Sequence, residues 1–74
     1  MNSDHRVQMA NRIGEFFQAM PDHAEALDGI ATHIKRCWEP RMRQALAAQL
    51  DEHGDDGLMP LVREALTVHR AVLN

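Results

Sequence analysis

The chain has 74 residues, enough for one domain over 1–74 and a core that buries only about 60% of the surface its unfolded form exposes. Eight lysines and arginines stand against 11 aspartates and glutamates, a net charge of -3. Nucleic-acid modules carry a basic excess, so that balance argues against one. Cys37 is the single cysteine, which excludes an internal disulfide and fits a reducing compartment.

The first helix is predicted from about Asp4 to Ala19. Met9, Ile13, Phe16 and Met20 recur at helical spacing, with Ala10 and Phe17 beside them. Ser3 or Asp4 is the expected cap, Gly14 invites a close helix contact, and Pro21 ends the segment. A second helix opens at Asp22, with Glu25 three residues on as in a capping box. Leu27, Ile30, Ala31, Ile34 and Trp38 line one face of it, and Lys35 and Arg36 suit the negative end of its dipole. Pro40 begins the third helix and holds Glu39 in an extended conformation, so the chain bends between Trp38 and Arg41. Met42, Ala45, Leu46, Gln49 and Leu50 form its expected inward stripe. The stretch from Asp51 to Gly57 reads as a solvated, glycine-bearing loop. A fourth helix starts near Pro60, with Met59 as a poor cap and Leu61, Val62, Ala65, Leu66, His69, Val72 and Leu73 on one face. The expected fold is all-α, a compact bundle or orthogonal array of about four short helices.

Phosphate loops of the GxxxxGK[ST] or GxGxxG kind are absent, as is HExxH. The only serine, Ser3, is a poor candidate nucleophile. His33 and Cys37 lie four residues apart, a spacing open to a metal or an activated thiolate, but two ligands do not complete a zinc site. The expectation is a small apolar Cys37 beside the core and a surface His33. The acidic run from Asp51 lacks the glycine and glutamate that a calcium loop requires at its sixth and twelfth positions.

Positive charge gathers from His33 to Arg43, around the only tryptophan. Trp and Arg are the types most enriched at interface hot spots. Trp38 also completes an apolar stripe, which points to the core. Arg41 and Arg43 suit carboxylates or phosphates on a partner, or the capping of helix ends. Phe16 and Phe17 point about 100° apart on a helix, so either both widen the core face, or one faces the core and the other turns sideways or outward as a docking aromatic. The candidate partner surface is Trp38, Pro40, Arg41, Arg43 and Phe17. Phe17, Met20 and Met42 are the apolar positions that would drive a homo-oligomer of the isolated chain. The amino-terminal residues lack a basic start followed by an apolar run, and no stretch reaches the roughly 20 apolar residues of a membrane helix. The expected location is the cytoplasm, with no membrane partner and no nucleic acid.

Three stretches carry a family resemblance. These are Met9-Ala10-Asn11-Arg12-Ile13-Gly14-Glu15-Phe16-Phe17 with Met20-Pro21, His33 to Arg43 with its Trp38-Glu39-Pro40-Arg41-Met42-Arg43 core, and Gly57 to Leu66. In order and spacing they resemble the delta subunit of soluble NAD-dependent formate dehydrogenases, with Cys37 where that family has an aromatic residue and Met59 where it has a serine cap. The resemblance implies a small accessory chain, not itself catalytic, of a cytoplasmic complex that oxidises formate and reduces NAD. It implies an alpha-subunit partner, with beta and gamma reached through it. The larger chains would hold a molybdenum or tungsten bis-pyranopterin guanine dinucleotide, iron–sulfur clusters and FMN, and this chain no cofactor. Support of assembly, stability or cofactor insertion is the implied role. The alternatives are a transient assembly factor whose Arg41 and Arg43 contact the guanine nucleotide of the cofactor, and a small nucleic-acid-binding regulator, which the net charge disfavours.

Overall fold

A computed structural model describes residues 2–73, with side chains from His5 onward. Helix α1 spans Asn2–Phe17, α2 His23–Cys37, α3 Pro40–His53 and α4 Pro60–Val68, and a 3₁₀ turn follows at Arg70–Leu73. The all-α array expected from the sequence is therefore observed. Helix α2 is the central element, packed against α1, α4 and the 3₁₀ turn. Its five stripe residues, Leu27, Ile30, Ala31, Ile34 and Trp38, are all buried. The Asp22 cap forms as expected: its Oδ1 accepts from the Glu25 amide at 3.0 Å.

Helix α1 differs from its sequence reading. It is already helical at Asn2, so Ser3 and Asp4 lie inside its first turn instead of capping it. Its buried centre is Ala10 and Gly14, flanked by Val7, Met9, Ile13 and Phe17, whereas Phe16 and Met20 face outward. Met9 and Ile13 thus keep their expected places against the core, while the centre of the inward face is displaced toward Ala10, Gly14 and Phe17. Small residues at the centre let α1 approach α4 closely: a Cβ on Gly14 would stand 2.3 Å from Val62 Cγ2.

Helix α3 shows a second shift. Arg43 and Leu46 are its buried residues, with Met42, Ala47 and Leu50 packed beside them and Ala45 and Gln49 only half-buried. Helix α4 ends at Val68, short of the full apolar stripe, and the chain continues as the 3₁₀ turn that buries Leu73. The acidic stretch is exposed as expected, apart from the half-buried Asp55, but its first three residues are helical. Helix α3 runs through His53 before turning at Gly54, where φ is 79°. Asp51 Oδ1 then accepts from Arg70 Nη2 at 2.9 Å, and Asp55 faces Arg63 Nε at 3.6 Å.

Met59, at the start of α4, makes no side-chain cap. The connection is held from α1 instead. Asn11 Oδ1 accepts from the Met59 amide at 2.9 Å, and Asn11 Nδ2 donates to the Gly57 carbonyl at 3.0 Å. Asn11→Ala strands a part-buried amide, so it is expected to cost about 1–3 kcal/mol. Urea unfolding of the two chains measures this; an unchanged midpoint removes the clamp from the account of the fold.

Candidate docking surface

Helix α2 ends at Cys37, and Trp38 and Glu39 adopt extended backbone, with ψ of 136° and 151°. That is the conformation proline imposes on its predecessor, and Pro40 then opens α3. The indole of Trp38 turns inward and is only 6% exposed, among the residues of the main core. Its ring is therefore not available on the surface of the chain as a docking group.

Arg43 is also turned inward, at 8% exposure. Its Nη1 donates to the Lys35 carbonyl at 3.2 Å, eight residues back across the bend. The last four carbonyls of a helix have no partner within it. The Trp38 amide takes the Ile34 carbonyl and Arg43 takes the next. Arg43 thus ties α3 to the end of α2, and its buried Nε meets no partner among the described residues. A guanidinium committed in this way is not placed to receive a phosphate.

Pro40 and Arg41 are exposed. Arg41 lines an open groove of about 420 Å³ between the first turns of α1 and α3, with His5, Arg6, Glu39, Met42 and Ala45. Of the two arginines singled out from the sequence, only this one faces solvent.

The two phenylalanines are assigned the opposite way from the sequence reading. Phe17 lies against α2 directly over Gly29, where an added Cβ would meet its ring at 2.5 Å. Phe16 stands edge-on to Phe17, with ring centroids 5.1 Å apart and planes at 87°, and remains 75% exposed. The His33 ring also lies near Phe17, with centroids 6.5 Å apart. Phe16 is the exposed aromatic that the sequence reading missed; the signal lay in Gly29, whose missing side chain seats Phe17. Phe17 and Met42 pack on the chain's own core, while Met20 is 36% exposed, so the apolar set read from sequence does not form one patch.

Cys37 is exposed, not tucked beside the core. It lies one residue off the buried stripe that ends at Trp38, and it shares a hollow with Phe17, His33 and Arg36. Among the described residues, no group of three or more His, Cys, Asp or Glu side chains is arranged to hold a metal ion. None of the described helices is long and apolar enough to cross a membrane.

These features fall within residues 5–66, which match the family model described as NADH-dependent formate dehydrogenase delta subunit FdsD. The chain belongs to that delta-subunit family. The matched span runs from the first turn of α1 to Leu66 in α4, and takes in Asn11, Gly14, Gly29 and the whole bend. Within the matched span Trp38 and Arg43 are buried at the junction of α2 and α3, and Arg41 and Phe16 are exposed. No curated protein and no solved structure matches the chain.

Proposed function

We propose that this chain is a non-catalytic accessory subunit of a cytoplasmic NAD-dependent formate dehydrogenase. It docks on the catalytic alpha subunit, and through it on beta and gamma, and supports the assembly, stability and cofactor insertion of alpha. The observation that carries this reading is the delta-subunit match across residues 5–66, which reaches from α1 into α4. The donor set of the chain agrees with it. Its single thiol does not fit an iron–sulfur cluster, which generally takes four. The clusters, FMN, NAD and the molybdenum or tungsten bis-pyranopterin guanine dinucleotide are assigned to the larger subunits.

The test is to purify the complex from cells with and without this chain and to measure alpha-subunit yield and bound molybdenum or tungsten. Both are expected to fall when the chain is absent. Recovery of the chain alone, from cells with active formate dehydrogenase, overturns the reading.

A second reading is a transient assembly factor that contacts the guanine nucleotide of the cofactor. The groove where Arg41 meets His5 and Arg6 favours it over any site built on Arg43. Calorimetry with guanosine diphosphate decides: heat that disappears in Arg41→Ala supports the groove, and no heat at millimolar nucleotide retires it.

A further inference from the structure

We propose that the α1–α2 face around Phe16 is the surface by which this chain grips its large protein partner. It takes a segment with an apolar side chain flanked by carboxylates. The inference deepens the accessory-subunit reading and rests on it.

Two adjoining hollows make up this face. One, of about 280 Å³, is lined by Arg12, Ile13, Phe16, Phe17 and His33. The other, of about 350 Å³, shares Phe17 and His33 and continues to Arg36 and Cys37. Phe16 is 75% exposed, and its ring leans edge-on against Phe17, which is itself seated over Gly29. The contact with Phe17 favours one placement of the ring, and a side chain so biased loses less conformational freedom when it is covered. Ile13, Phe16 and Phe17 line the first hollow together, and a contiguous apolar surface with a polar rim marks an interaction site where a lone exposed side chain does not.

Charge selects the occupant. The lining carries Arg12 and Arg36 against the single carboxylate of Asp28, a net positive face on a chain whose net charge is -3. A two-fold contact between copies would set the same patch against itself. Arg12 and Arg36 would then face a surface with the same two arginines and one carboxylate. A partner segment with carboxylates on either side of an apolar residue satisfies both the ring and the arginines.

The experiment uses the full-length tagged chain co-expressed with the alpha subunit, with affinity and salt dependence measured on the recovered complex. Phe16→Ser is expected to bind about thirtyfold more weakly, the scale of a hot-spot loss. The double variant Arg12→Glu, Arg36→Glu is expected to weaken binding and to flatten its dependence on salt. Val68→Ser, at an exposed apolar position on α4, serves as the control and is expected to bind normally. Circular dichroism confirms that each variant is folded. Unchanged binding by Phe16→Ser overturns this assignment while leaving the accessory role standing. Loss with Phe16→Ser but not with the charge reversal overturns the carboxylate partner. A wild-type dimer that Phe16→Ser converts to monomer makes a second copy the occupant, which also overturns the proposal. Failure of the wild-type chain to recover alpha at all refutes the underlying reading instead.

Discussion

Trp38→Ala is expected to remove most of the stability of this chain, at a cost of about 3–5 kcal/mol, as for other buried aromatic truncations. A domain of this size holds only about 4–11 kcal/mol in total. The indole is 6% exposed, belongs to the same buried cluster as Ile34, Leu46 and Leu73, and sits where α2 stops and α3 begins. Its loss opens a cavity at the bend between α2 and α3. Trp38→Phe keeps most of the volume and is expected to cost markedly less. Urea titration followed by circular dichroism separates the two; equal midpoints for Trp38→Ala and wild type show that the indole is not part of the core. The consequence for binding work is direct. A Trp38→Ala chain that fails to hold a partner reports unfolding, so the surface question belongs to Phe16.

What was legible in the sequence follows from where size and apolarity coincide. The apolar stripe and the start of helix α2 are legible, because its large apolar side chains all fall on the buried face and Asp22 marks its start, whereas Cys37, one residue off that stripe, faces outward. The bend was legible too, since proline restricts both itself and Glu39 whatever the tertiary context. Helix α1 was misread because its contact is built on absence. Ala10 and Gly14 are at its buried centre, and a period counted on Met, Ile and Phe passes them by, finding Met9 and Ile13 but also the exposed Phe16 and Met20. The same holds for the aromatic pair: Phe17 is drawn inward by a vacancy at Gly29, on another helix, which no count along α1 can register. For Arg43 the sequence leaves a partner contact and the capping of a helix end both open, and the structure takes the second: the carbonyl that decides it, that of Lys35, reaches Arg43 only once the bend has formed.

The vacancy at Gly14 gives the second large prediction. Glycine in a helix interior costs about 1 kcal/mol relative to alanine, so on propensity alone Gly14→Ala should stabilise α1. The packing says otherwise. The new Cβ would lie 2.3 Å from Val62 Cγ2 and 2.6 Å from Met59 Sδ. Met59 has a flexible side chain and can yield. Val62 is fully buried and, being β-branched, has few rotamers to move to in a helix. Overpacking of this kind typically costs about 1–3 kcal/mol, enough to outweigh the gain in propensity. Gly14→Ala is therefore expected to lower the urea midpoint, and Gly14→Val to lower it further, by about 3 kcal/mol or more in stability. The two effects are separable, because only one of them depends on Val62. Val62→Ala alone leaves a cavity and destabilises; combined with Gly14→Ala it makes room for the added methyl group. The double variant should then be more stable than the sum of the two singles implies, a coupling that residues out of contact do not show. Strict additivity, or a Gly14→Ala chain more stable than wild type, means that α1 and α4 are not in this register, and the placement of Asn11 over the start of α4 fails with it.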